Sequence, residues 1–115
     1  MQQKQTGNWF WVEYDKFIVG DEETGYLLTV DKFSGNTGDM LFYNSGKKFT
    51  TFDRDNDNYI NPRYNNSCAM LTHSGFWYPK CGYTFPNGAA PYFYYLGLSN
   101  GIANLERCNM KLLCL

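Results

Sequence analysis

The sequence predicts an α+β domain made mostly of short antiparallel strands joined by long irregular loops. Two observations carry this reading. Aromatic residues occupy 19% of the 115 positions, ten of them tyrosine, and they cluster with β-branched residues in short runs typical of strands. Eleven glycines and many asparagines punctuate those runs, which is turn chemistry and not helix interior. A chain of this length forms one domain with a single modest core.

Taken in order, residues 1–8 (MQQKQTGN) are polar, and no apolar stretch follows the basic residue, so no signal peptide is encoded there. Residues 9–14 (WFWVEY) and 16–19 (KFIV) read as strands, and residues 26–30 (YLLTV) as another. Gly20-Asp21 and Thr24-Gly25 mark the turns between them, and residues 34–39 form a glycine-punctuated loop. Residues 40–43 suit either a short helix or a strand, closed by the turn Asn44-Ser45-Gly46. No internal repeat or low-complexity segment is present. No stretch reaches the 18 or so apolar residues of a spanning helix.

Charge narrows the function. Ten Lys and Arg residues against eleven Asp and Glu give a net charge of -1, with no basic footprint for nucleic acid or anionic lipid. His73 is the only histidine and reads as an exposed loop residue. A common zinc cluster needs more, and no nucleophile motif accompanies it, so the sequence points away from an enzyme.

The most informative stretch runs from residue 52 to residue 82. Asp53, Asp55 and Asp57 place three carboxylates at alternate positions, where they repel one another unless a cation lies between them or they face different ways. Hard oxygen donors in a turn-rich loop suit calcium, and Asn56, Asn58 and Asn61 add amide oxygens. A solvated acidic turn is the alternative, because Asp and Asn dominate turns for local reasons. An EF-hand does not fit: Asn58 replaces the sharp-turn glycine, Tyr64 the bidentate glutamate, and Pro62 precedes the expected exit helix.

Six segments together resemble the fibrinogen C-terminal domain family: residues 14–22 (YDKFIVGDE), 26–30 (YLLTV), 33–39 (FSGNTGD), 49–57 (FTTFDRDND), 67–69 (SCA) and 75–81 (GFWYPKC). They cover roughly residues 12–88 in the family's order and spacing, matching about its C-terminal half. The resemblance therefore implies a truncated fibrinogen-like fold, with the N-terminal half of the full domain missing. A calcium-loop and pocket subdomain is expected at about residues 49–95.

Further implications follow from the resemblance. Calcium is expected on the Asp55 and Asp57 carboxylates with the Tyr59 carbonyl, Asn61 nearby and Asp53 supporting the loop. Cys68 and Cys81 match a family disulfide beside that loop, and closing it contributes about 3 kcal/mol by chain entropy. Ficolin- and tachylectin-like members hold a cis peptide before the second cysteine, which implies one at Lys80-Cys81. A ligand pocket is then expected at Lys80, Cys81 and Gly82, walled by Trp77, Tyr78 and Tyr83. The implied ligand is an acetylated glycan or a peptide terminus, recognised in an innate-immune, lectin-like manner. A secreted location and a possible homo-oligomer belong to the same expectation.

Departures from the family pattern are also legible. Gly82 stands where the family usually has histidine, and the connection from Asp57 to Cys68 is longer than usual. After Gly88 the match fades, leaving Tyr92, Tyr94 and Tyr95 as core residues or substitute pocket aromatics. Four cysteines allow three connectivities. Were residues 108–115 one straight strand, Cys108 and Cys114 would lie about 20 Å apart and could not pair. Free thiols, a bent tail or bridges to another chain remain open for them. Asn65-Asn66-Ser67 is an N-glycosylation sequon, so Asn65 is a candidate acceptor if the chain enters the secretory route.

Overall fold

A computed structural model describes residues 1–57, 59, 67–98 and 104–114. Six elements appear among them: β1 (Gln2–Gln3), β2 (Val12–Val19), β3 (Leu28–Gly35), a 3-10 turn (Leu41–Asn44), α1 (Cys68–Thr72) and β4 (Leu105–Arg107). Strands β2 and β3 form an antiparallel hairpin in register from Val12 opposite Gly35 to Val19 opposite Leu28. Strand β1 pairs antiparallel with β4, joining the two ends of the described chain.

The hairpin corrects the expected strand limits. Residues 9–14 and 16–19 belong to one strand that starts only at Val12, with no paired partner at Asp15. Opposite that gap Lys32 takes φ 57°, and its N–H bonds to the Asp31 carboxylate at 2.8 Å in place of the ladder. The second strand runs on to Gly35, into the expected loop. The connecting turn follows the sequence: Asp21 accepts from the Thr24 N–H at 3.0 Å, and the Gly20 N–H bonds to the Leu27 carbonyl at 2.8 Å.

The ambiguous residues 40–43 resolve as a 3-10 turn because the Ser45 N–H reaches back to the Leu41 and Phe42 carbonyls. Helix α1 was not foreseen. It is one short turn set by its ends: Ser67 caps it through its side chain, and His73 ends it in the left-handed region at φ 54°. His73 is exposed, as expected. Cys108 to Cys114 form no strand, so the straight-strand geometry does not apply; both thiols are free.

Packing separates into two clusters. One holds Cys68, Ala69, Phe76, Tyr78 and Phe85, and the other holds Phe10, Tyr95, Leu98 and Leu105. The described chain is a slab with extents of 37 × 36 × 17 Å. Burial of Leu28 and Val30 anchors one end of β3, whereas residues 31–35 are exposed. A two-stranded ribbon has little stability of its own, so this apolar anchor holds the hairpin against the slab.

Candidate functional site

The site begins at a pair of main-chain bonds. Thr50 and Phe76 exchange N–H to carbonyl bonds at 2.9 and 3.2 Å, fixing the strand before the acidic loop against the strand before the second cysteine. Asn56 then locks the loop: its side-chain amide donates to the Phe49 carbonyl at 2.7 Å, and its N–H to the buried Thr50 hydroxyl at 3.0 Å. Asn56 therefore serves as a strut.

The three acidic residues separate by role. The Asp53 carboxylate accepts from the Thr51 hydroxyl at 2.7 Å on the exposed turn. Asp55 accepts the Asp57 N–H at 3.1 Å. Asp57 is only 4% exposed, and its two oxygens accept the Tyr59 N–H and the Cys68 N–H, each at 2.8 Å. Burial, reinforced by neighbouring Asp55, pushes the Asp57 carboxyl above the usual carboxylate range despite those two donors.

These residues fit calcium in kind. Asp55 and Asp57 offer hard oxygens with lone pairs to spare, and the Tyr59 carbonyl accepts no hydrogen bond among the described residues. A buried carboxylate beside a second one, with no cationic side chain paired to either among the described residues, is the electrostatic setting a divalent cation relieves. Among the described residues no three acidic, imidazole or thiol side chains converge on one point, so the remaining ligands must be carbonyls, amides or water. Asn58, Asn61 and Asn65 lie outside the described residues.

Cys68 and Cys81 are bridged, with Cα atoms 5.1 Å apart. Beyond the bridge the chain turns sharply, with Cys81 at φ 64° and Gly82 at φ 95°. This corrects the expected cis bond at Lys80-Cys81: the cis peptide among the described residues is Ala90-Pro91, and the turn is made by two consecutive left-handed residues. A Cβ at position 82 would lie 3.1 Å from the Pro79 ring, which explains why glycine suits the place where the family usually has histidine. The Lys80, Cys81 and Gly82 N–H groups make no hydrogen bond among the described residues.

A cleft of about 820 Å³ joins the two halves of the site. Asp55, Asn56 and Asp57 line one part, Pro79, Lys80, Gly82 and Tyr83 another, and Tyr43, Lys47 and Lys48 a third. Of the expected walls, Tyr83 is 44% exposed. Tyr78 also touches the cleft but is anchored in the core, its hydroxyl 2.6 Å from that of Thr72 and 2.8 Å from that of Ser74. Burial pushes this phenol above its ordinary range.

Trp77 is not a wall of the cleft. Its indole N–H donates to the Tyr26 carbonyl at 2.7 Å, and its ring meets Phe17, Phe49 and Phe76 edge-on, tying the hairpin to the core. Beneath the turn, fully buried Asn44 donates to the Trp77 carbonyl at 2.8 Å, while its Oδ1 has no partner among the described residues. Tyr95 is a core residue, and Tyr92 and Tyr94 pack partly buried against the core. Sequence reasoning missed Tyr43, Lys47 and Lys48, of which the two lysines reach the cleft from beside the turn end of the hairpin. No local motif marks them.

An irregular slab with a disulfide-braced turn beside an acidic loop defines a fibrinogen-type globe. The chain belongs to the family described as fibrinogen beta and gamma chains, C-terminal globular domain, whose profile matches residues 2–111. It is 42% identical over 78 residues to tenascin of Gallus gallus, spanning 68% of this chain and 4% of that protein. Microfibril-associated glycoprotein 4 of Bos taurus is 41% identical over 104 residues, spanning 82% of this chain and 39% of the relative. The fibrinogen-like globe domain of human ANGPTL6 superposes with a TM-score of 0.71 at 26% identity, covering 90% of this chain and 50% of that one. The chain thus spans about half of that globe and less than half of these relatives. No described helix is long and apolar enough to cross a membrane.

Proposed function

We propose that this domain is a non-catalytic, calcium-dependent recognition module for acetylated or carboxyl-bearing ligands, acting extracellularly in a lectin-like, innate-immune role. The observation that supports it most is the shared cleft: Asp55 and Asp57 border the same space as the Lys80–Tyr83 turn, whose N–H groups at Lys80, Cys81 and Gly82 have no protein acceptor among the described residues. Unpaired donors on successive residues are suited to an acetyl or carboxylate oxygen. Calcium at Asp55 and Asp57, with the Tyr59 carbonyl, would neutralise the acidic loop and hold it against Cys68. Its effect on the ligand is then indirect, through the position of the disulfide and the turn.

The test is an NMR titration of N-acetylglucosamine, N-acetylgalactosamine and an acetylated peptide, with and without calcium. Shifts centred on residues 80–83 that weaken on chelation support the reading. A folded, calcium-loaded protein showing none refutes it.

A second reading, a structural or oligomerising module, is favoured by the hairpin, where Ile18 is 51% and Val19 43% exposed on a ribbon without a third strand among the described residues. Concentration-dependent self-association by analytical ultracentrifugation, without ligand shifts at residues 80–83, would select it.

A further inference from the structure

Lys47, Lys48 and Lys80 line one cleft, although the chain as a whole carries a net charge of -1. None of the three forms an ion pair or side-chain hydrogen bond among the described residues. Two are carried on a rigid support. The Lys47 carbonyl accepts the Leu28 N–H at 3.0 Å, the Gly46 N–H bonds to the Leu28 carbonyl at 2.7 Å, and the Phe49 N–H to the Gly25 carbonyl at 2.9 Å. The Lys48 stem lies against Gly25, where even a Cβ would come within 2.9 Å of its Cδ. Both ammonium groups are thus presented from fixed backbone.

Beside them stands an aromatic pair. The Tyr43 and Tyr83 rings lie 4.7 Å apart at 61°, and the two residues are 45% and 44% exposed. Half-open tyrosines offer rigid apolar area at small entropic cost, together with a hydroxyl for polar contact. A ring-shaped polar ligand bearing an anion matches this combination.

Resting on the reading above, we propose that the cleft is selective for acidic sugars, a pyranose ring seated on Tyr43 and Tyr83 with its carboxylate directed to Lys47, Lys48 and Lys80. Asp55 and Asp57 border the same cleft and would repel an acid. Calcium on those two residues removes that repulsion, so the preference for acid belongs to the calcium-loaded domain.

Two ligands that differ only at the carboxyl group, which one of them carries neutralised, provide the test: the methyl glycoside of N-acetylneuraminic acid and the same glycoside as its carboxyl methyl ester. Titration calorimetry at saturating calcium should show the acid binding about tenfold more tightly, the sum of a few solvent-exposed ion pairs. The ratio should fall towards one in the K47A/K48A/K80A variant, whose fold is checked by circular dichroism, and should shrink as salt is raised. Tyr43→Ala should weaken acid and ester alike. Equal affinity for acid and ester, or a ratio that survives loss of the three lysines, overturns the proposal. If the ester and N-acetylglucosamine still bind at residues 80–83 with no preference for acid, only this inference fails. If nothing binds there, the recognition reading fails with it.

Discussion

The Cys68 N–H points at the Asp57 carboxylate, 2.8 Å from Oδ2, so the acidic loop and the Cys68–Cys81 bridge form one mechanical unit. The contact spans eleven residues of sequence and connects the loop that would hold a cation to the turn that would hold a ligand.

Removing Asp57 should cost stability even without calcium. Asp57→Ala leaves the part-buried Tyr59 N–H and the buried Cys68 N–H without this acceptor, a loss of about 2–4 kcal/mol. Asp55→Ala removes one part-buried turn contact and should cost less than about 1 kcal/mol in chelator. On the proposed reading calcium is held by the folded form alone and should raise the Tm of the parent protein, adding about 2.7 kcal/mol of stability at a hundredfold excess over Kd. Thermal denaturation with and without calcium checks both, and a Tm rise that persists in D55A and D57A would place the cation elsewhere.

Peptide mapping without reductant should recover Cys68 linked to Cys81 and leave Cys108 and Cys114 alkylatable, as their geometry indicates. Cys81→Ser should destabilise the domain by about 2–4 kcal/mol. A link from either bridge cysteine to the tail would overturn the arrangement of the whole site.

Two glycines at similar backbone angles separate strain from crowding. Gly46 has φ 80° with nothing within 4 Å of a built Cβ, whereas Gly82 has φ 95° with the Pro79 ring at 3.1 Å. Gly46→Ala should cost only the left-handed backbone penalty of about 1–2 kcal/mol. Gly82→Ala should cost more and should also shift the Lys80–Tyr83 amide resonances. Equal melting temperatures for the two variants would refute the crowding.

Alkali should loosen the second core. Tyr95 donates to the Gly38 carbonyl at 2.5 Å and accepts the Met40 N–H at 2.9 Å, and burial pushes its phenol up from 10.0 to about 12. The folded protein holds this proton more tightly than the unfolded chain does. The resulting stabilisation is complete below pH 10 and lost as pH rises through about 12. Tyr14, raised chiefly by burial and bonded to Asp39, acts in the same direction. Tyr95→Phe should lower stability at neutral pH and flatten this alkaline decline, measured by urea denaturation at stepped pH.

What the sequence made legible was chemistry that is local. The Asp21 turn, the acidic loop and the hairpin strands follow from neighbouring residues, and the family resemblance rested on short motifs in order. What it hid was long-range. Nothing adjacent to Lys47 or Lys48 shows that they share a cleft with Lys80, because the turn end of the hairpin holds them there through bonds to Gly25 and Leu28. Trp77 looked like a pocket wall by its place in GFWYPKC, but its indole N–H found the Tyr26 carbonyl 51 residues away. The resemblance implied a cis bond at Lys80-Cys81, and the two left-handed residues found at Cys81 and Gly82 cannot be told from it by residue type.

Asn44 gives the molecule an internal probe of its own cleft. Its side-chain NH₂ is sealed from solvent, bound to the Trp77 carbonyl at 2.8 Å, and lies 4.0 Å from where a Cβ on Gly82 would stand. The two amide protons therefore sit in unlike surroundings, and their resonances should be widely split and slow to exchange with deuterium. A ligand settling on Gly82 would move that pair before it moved the surface asparagines, so a single ¹⁵N spectrum can report occupancy from beneath the floor.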